Sequence, residues 1–334
     1  MIPSRGPASN HAHPGAAFDE VDVAIVRHLA QDGRASYADL ARSIGLSQAT
    51  VRARLIRLLE DGSVVVTGRV DPRALGIGIV AIAFVTGHGR AHDLAGRIGA
   101  LPEAVYVAAT TGGFDLLVEV RCRDADHLLR TLDEIRGIDQ VAAVEASTII
   151  LYLKQDWSQV GIADSEGSNG VAVEKVGGVY RPVELDDIDR RLVTALVADG
   201  RASYAELAPL VGLSQAAVRA RVLRLLDEGV VTIQTHTSPE AAGIGGYSGI
   251  GIVASGPVRP LAEAIAAMGG TTLVAAAAGR FDILVEAWWF DEAHLLGLLD
   301  RLRSLEGVRR VDSFNFLMVE KSDYSGGFVG LSGH

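Results

Sequence analysis

The chain has 334 residues, 49% of them hydrophobic, a formal net charge of −10 and one cysteine, Cys122. That length carries two or more cored domains, and the composition excludes a disordered or fibrous chain. One cysteine excludes a disulfide framework within the chain and fits a reducing cytoplasm, and no apolar run reaches the roughly 18 residues of a membrane span. The acidic balance does not exclude nucleic acid, because phosphates respond to local clusters of arginine rather than to global charge.

Residues 1–17 are rich in Pro, Gly, Ser and His and read as a disordered leader without a signal-peptide core. Asp19 or Asp22 then caps a helix carrying Val23, Ile25, Val26 and Leu29, which ends near Asp32-Gly33. Ser36 and Asp39 form a capping box for a short second helix, which Gly45 closes in the left-handed conformation. Ser47 caps a third helix, in which Val51, Leu55, Leu58 and Leu59 make one apolar stripe. Gln48, Thr50, Arg52, Arg54 and Arg57 are left on the opposite side. A tight Gly-Leu-Ser turn, a polar helix start and arginines confined to one helix read as a helix-turn-helix whose third helix enters a major groove. The plain alternative is a helical hairpin with a solvated basic face. Val64 to Val70 reads as a strand leaving this head, closed by the turn Asp71-Pro72, with Ala74-Leu-Gly as a connector.

Beyond it the periodicity changes. Ile77 to Thr86 reads as a strand, Ala91 to Leu101 as a helix, and Val105 to Thr110 and Phe114 to Arg121 as strands about a Gly112-Gly113 turn. Asp124 to Arg136 is an amphipathic helix and Val141 to Leu153 a last long strand. The order β-α-β-β-α-β is the ferredoxin-like arrangement, with one sheet face free to pair with a second copy. Residues 155–184, rich in Gly, Ser and acid, read as a linker. Everything then recurs at a constant shift of 167 residues, so that Ser214 matches Ser47 and Phe281-Asp282 matches Phe114-Asp115. The expected fold class is α+β, with two winged-helix or helix-turn-helix heads (18–70 and 185–237) alternating with two ferredoxin-like, ACT-like sandwich domains (74–154 and 243–321). Residues 322–334 form a Gly-rich tail.

Several stretches resemble the Lrp/AsnC (feast/famine) family of prokaryotic transcriptional regulators. They are Asp32-Gly-Arg-Ala-Ser, Asp39-Leu-Ala with Glu206-Leu-Ala, Gly-Leu-Ser before the third helix, Val-Arg-Ala-Arg within it, and Gly-x-x-Asp at Gly112 to Asp115 and Gly279 to Asp282. The resemblance spans all but leader, linker and tail. It implies double-stranded DNA as a partner, sheet domains that dimerise and assemble further, and a small effector, often an amino acid, bound between subunits. Ordinary members carry one copy per chain. Two copies here lead to an expected covalent pseudo-dimer, with a swapped arrangement between two chains as the rival.

The expected DNA contacts are Ser47, Gln48, Thr50, Arg52, Arg54 and Arg57, with Ser214, Gln215, Arg219, Arg221 and Arg224 in the second head. Glutamine suits adenine, a threonine methyl suits thymine, and arginine suits guanine or phosphate. Thr50 becomes Ala217, so the half-sites need not be identical, and Arg42 becomes Pro209, which puts the second head's geometry in question. The expected effector residues are Thr111, Gly112, Phe114 and Asp115, with Gly279, Arg280, Phe281 and Asp282. Glycine allows close approach of a ligand and aspartate accepts an ammonium group; the alternative is a turn whose aspartate bonds backbone. Arg280 has two readings, a carboxylate clamp or surface charge.

No catalytic or metal grouping is evident, and no cofactor is expected. Gly243-Ile-Gly-Gly-Tyr-Ser-Gly249 misses the dinucleotide pattern and leads into a strand. Sirohaem decarboxylases resemble this chain in architecture and occur as fused pairs, but their second strand is rich in histidine and arginine. Here that strand reads Val105-Tyr-Val-Ala-Ala-Thr and, in copy two, Val274-Ala-Ala-Ala-Ala. A third reading is a ligand-sensing or protein-interaction module that no longer binds DNA.

Overall fold

The computed structural model describes residues 18–157, 160 and 184–322. The leader, most of the linker and the tail beyond 322 lie outside the described residues. The first head is α1 (Glu20–Gln31), α2 (Tyr37–Ile44) and α3 (Gln48–Glu60), followed by β1 (Val64–Val70). The first sheet domain is β2 (Ile79–Gly87), α4 (Ala91–Gly99), β3 (Ala104–Thr110), β4 (Leu116–Cys122), α5 (Ala125–Arg136) and β5 (Val141–Gln155). The second head is α6 (Asp187–Ala198), α7 (Tyr204–Val211) and α8 (Gln215–Asp227), followed by β6 (Val231–Thr237). After the single turn α9 (Pro239–Ala242) come β7 (Gly246–Ala254), α10 (Val258–Ala266), β8 (Thr271–Gly279), β9 (Ile283–Trp289), α11 (Glu292–Ser304) and β10 (Val308–Ser322).

The helix starts follow the capping chemistry. Asp19, not Asp22, caps α1, its carboxylate accepting from Val21 N and Asp22 N. Ser36 accepts from Asp39 N, but the Asp39 carboxylate reaches only the Ser36 hydroxyl. In copy two the longer Glu206 reaches Ser203 N, and the reciprocal box is complete. Gly45 and Gly212 end α2 and α7 at φ 76° and 70°. Pro209 leaves α7 intact. The helix has the same eight residues as α2, the same N-cap dihedrals and the same glycine cap. Pro209 is exposed, so the carbonyl that loses its amide partner faces water.

The two copies join within the chain, at two levels. β1 does not act as the wing of its own head; it pairs antiparallel with β6 of the other head, centred on Thr67 opposite Gln234. The ribbon is shared by both cores, because Val70 packs into the second head's core and Ile233 against the first. Below it, the two sheets close into one eight-stranded barrel in the order β10-β3-β4-β2-β5-β8-β9-β7. The 15-residue strands β5 and β10 close the barrel. The first half of β5 pairs with β2 and its second half crosses to β8, while β10 bridges β7 and β3 in the same way.

Strand alternation divides the side chains. On β4, Leu116, Val118 and Val120 face the helices, whereas Leu117 faces the barrel interior with Phe84, Phe114, Phe281 and Phe314. Exposed large aliphatic side chains recur at matching places, Leu129 with Leu296 on α5 and α11, and Ile150 with Leu317 on β5 and β10. Among the described residues no helix is long and apolar enough to cross a membrane.

Candidate nucleic-acid interface and effector turns

The recognition-helix residues separate into three roles. Ser47 and Ser214 are caps: their hydroxyls accept from Thr50 N and Ala217 N, and the Thr50 hydroxyl bonds Ser47 in turn. Arg54, Arg57, Arg221 and Arg224, all expected to contact phosphates or guanine, are tied to carboxylates at the start of the first helix of each head. Arg54 pairs with Asp19 and Asp22, and Arg57 reaches Asp22 at 2.6 Å. In the second head Arg221 pairs with Asp186 and Asp189, and Arg224 reaches Asp189 at 2.5 Å. Asp22 and Asp189 are 3% and 2% exposed. A buried carboxylate needs charge partners, and these arginines supply them. The Arg54 hydrogen bond holds the Asp19 carboxyl below its ordinary 3.8, and those from Asp189 N and Arg221 do the same for Asp186.

The third group is what remains for a groove. Gln48, Thr50 and Arg52 are exposed on the first turns of α3, and Gln215 and Arg219 on α8. Arg52 and Arg219 make no ion pair among the described residues, so their charge is available to a phosphate or to guanine. On the same helices Ala49 and Ala53 are exposed beside them in one copy, and Ala216 and Ala220 in the other.

Arg34 and Arg201, which the sequence reading passed over, fix the two heads to each other. Arg34 donates to Gly200 O at 2.6 Å and Ala202 O at 2.8 Å. Arg201 donates to Gly33 O at 2.5 Å and Ala35 O at 2.9 Å. Each guanidinium also lies over a tyrosine of the other head, Arg34 at 5.2 Å from the Tyr204 ring and Arg201 at 5.8 Å from the Tyr37 ring. The reciprocity is the signature of a two-fold relation within one chain. Its trace in the sequence was the verbatim repeat of Asp-Gly-Arg-Ala-Ser-Tyr.

The effector turns face each other across the same pseudo-axis. A Cβ on Gly113 would stand 3.2 Å from an Arg280 nitrogen, so one arginine fits there because its counterpart is glycine. Arg280 pairs with Glu145 of the other copy and lies over the rings of Phe84, Phe114 and Phe281. Thr111 is a seam residue, its amide donating to Asn315 O and its hydroxyl accepting from Asn315 N. Gly112 and Gly279 have φ 107° and 149°, and Gly279 sits against Ser147 of β5.

Four of the expected effector residues also have structural roles. Asp115 and Asp282 are placed by backbone, their carboxylates accepting from Gly87 N and Ala254 N, each at 2.8 Å. Alanine at either position therefore removes a strand-end clamp as well as a carboxylate. Phe114 and Phe281, 5% and 1% exposed, belong to the barrel's aromatic core rather than to an open pocket.

The comparisons with known proteins agree with this geometry. The AsnC-type helix-turn-helix domain model matches residues 18–59 and again 185–226, and the Lrp/AsnC ligand binding domain model matches 80–157. The HTH-type transcriptional regulator FL11 of Pyrococcus horikoshii is 32% identical over 139 residues, 41% of this chain and 90% of its own length. The HTH-type transcriptional regulator Rv2324 of Mycobacterium tuberculosis is 34% identical over 139 residues, 41% of this chain and 94% of its own. The solved structure of the siroheme decarboxylase NirDL shares the fold, with a TM-score of 0.64 at 15% identity over 94% of this chain and 98% of that one. The chain belongs to the Lrp/AsnC family of helix-turn-helix transcriptional regulators, with the family's unit present twice.

Proposed function

We propose that the protein is a sequence-specific DNA-binding transcription regulator in which one polypeptide supplies both heads of a two-fold reader. The observation that carries this reading is the pair of exposed surfaces Gln48-Thr50-Arg52 and Gln215-Arg219, whose arginines make no ion pair among the described residues, held in one relation by the β1–β6 ribbon and the Arg34/Arg201 contacts. The heads would read half-sites about 10 bp, or a multiple of that, apart. The Thr50/Ala217 difference makes those half-sites unequal, with the hydroxyl present in one copy only. Ser47 and Ser214 contribute by shaping the helix starts. The test is operator binding against salt. Arg52→Ala/Arg219→Ala is expected to lower the magnitude of the log K versus log salt slope by about 2, roughly one per lost phosphate contact, with unchanged thermal stability. An unchanged slope in a folded double variant would remove these arginines from the interface and the reading with them.

The match to a ligand binding domain model supports a small effector sensed at the paired sheets. Arg280 and Glu145 are opposite charges from the two copies meeting at the seam, a pattern that suits a zwitterion such as a free amino acid. Thermal-shift screening of the common amino acids should find a stabilising one whose effect Arg280→Ala abolishes; equal shifts in wild type and variant would move the effector elsewhere. Assembly beyond one chain would use the recurring Leu129/Leu296 and Ile150/Leu317 patches, and the sedimentation mass decides whether it occurs. The likeness to NirDL carries the fold alone, and the apolar β3, Ala104–Thr110, offers no basic group to an acidic substrate.

A further inference from the structure

The interior of the barrel holds a cavity of about 50 Å³, and none of its lining residues belongs to the recognition helices or to the effector turns. Its walls come from both copies in matching pairs at the 167-residue shift, Leu117 with Leu284, Glu119 with Glu286 and Tyr106 with Leu273. The space therefore straddles the pseudo-two-fold axis. Its surroundings are mostly apolar, with the Phe314 and Phe316 rings on the same wall. Glu119 and Glu286 are engaged by the protein. Arg121 Nε donates to the first at 2.9 Å, and Trp157 Nε1 and the Thr272 hydroxyl donate to the second at 2.5 and 3.0 Å. Buried carboxylates hold on to such partners, so neither is a group for a ligand to bind.

Tyr106 is different. It is fully buried on the cavity wall, and its hydroxyl has no hydrogen-bond partner. Buried polar groups in native proteins are nearly always satisfied, so an orphan hydroxyl at a cavity wall calls for an atom from outside the chain. The fold does not require the phenol, because leucine fills the corresponding place in copy two. Burial, reinforced by the Glu286 and Glu119 charges, pushes the phenol well above its ordinary range. At neutral pH it therefore keeps its proton and has an O–H to donate. The same charges oppose an anion in this space.

We propose that this cavity is a ligand site for a small neutral oxygen compound, a short-chain ketone or alcohol, whose oxygen accepts from the Tyr106 hydroxyl while its carbons pack on the apolar walls. At roughly 10–15 Å³ per small non-hydrogen group, the space takes about three to five such atoms. That is the size of acetone or n-propanol, and too small for alanine or any larger amino acid. A water molecule is the rival occupant, but a buried water wants two to four polar partners. A ketone or alcohol needs one donor and apolar surface, which this wall provides. Because the phenol stands on one side of the pseudo-axis only, one molecule binds per chain, in one orientation.

The phenol itself can report occupancy. The full chain is prepared with tyrosine carrying carbon-13 at Cζ, and the Tyr106 resonance is assigned as the one lost in Tyr106→Phe. A four-atom ligand binds no tighter than on the order of tens of micromolar, so acetone and n-propanol are titrated over about 0.1–50 mM. The Tyr106 resonance should move saturably with both, and propionate should leave it in place. Tyr106→Phe keeps the shape and removes the orphan group, so it should fold and melt no lower than wild type. By calorimetry it should bind both compounds roughly five- to ten-fold more weakly, one hydrogen bond's worth, while xenon still enters the apolar space. No saturable shift with either compound would mean a cavity that holds water or nothing, and would overturn the proposal. Xenon binding alone, propionate binding as well as n-propanol, or a Tyr106→Phe affinity equal to wild type would overturn it too. None of these outcomes depends on DNA or on the effector turns, so the regulator reading stands or falls separately.

Discussion

Gly279→Ala is expected to destabilise the protein by roughly 3–5 kcal/mol, lowering the melting temperature by on the order of 10 °C. Two effects add. At φ 149° the residue occupies backbone space that side chains with a Cβ rarely enter. A Cβ there would also sit on the Ala146 carbonyl oxygen and 2.6 Å from Ser147 Cα. Those are backbone atoms of β5, which cannot turn away as a side chain can. Ser147 opposite Gly279 is the last pair of the β5–β8 seam, so relief of the clash requires the barrel to part there. The counterpart Gly112 supplies an internal control. Its φ is 107°, but its added Cβ would meet Phe314 Cβ at 3.4 Å, an ordinary contact. Gly112→Ala should therefore carry the backbone strain alone, about 1–3 kcal/mol. Thermal melts of the two variants measure the difference directly, and equal losses would mean that the β5–β8 seam has slack.

The contrast between these glycines shows what sequence could and could not yield. The heads, sheet domains and duplication were legible because helix caps, a 3.6-residue stripe and strand periodicity are local, and a 167-residue register repeats them. Partnership between distant segments was not. β1 was readable as a strand, but nothing in Val64–Val70 says that it pairs with β6 rather than folding back as a wing. The recognition arginines were found, yet their division into ion-paired and free groups depends on Asp22 and Asp189. Those residues carry a charge into the head's interior, where only the tertiary structure shows Arg54 and Arg57 closing over it. Asp22 amid Val23, Ile25 and Val26 was the one available hint. Likewise Glu119 and Glu286 fall at matching positions of the two copies, but only the barrel shows that both line one cavity.

The Arg34→Ala/Arg201→Ala double variant should uncouple the two heads. Each guanidinium donates two hydrogen bonds to carbonyls of the other head, and hydrogen bonds from charged groups contribute about 1.5–3 kcal/mol each when shielded. Both side chains are part-exposed, so a combined loss of about 3–5 kcal/mol is the reasonable expectation after solvent screening. The loss falls on the contact between heads and not on either head's core, since neither arginine belongs to the apolar clusters. DNA binding should register this specifically. A reader whose heads are fixed binds its second half-site at high effective concentration; one whose heads swing on the ribbon does not. Affinity for a two-half-site operator should fall by roughly ten-fold or more, while affinity for a single half-site should stay within about two-fold. Arg34→Lys/Arg201→Lys keeps the charge but cannot span two carbonyls, so it should behave like the alanine pair and not like wild type. If two-site binding is unaffected in a folded alanine variant, the β1–β6 ribbon alone aligns the heads. If single-site binding falls equally, these arginines act on DNA directly rather than on head alignment.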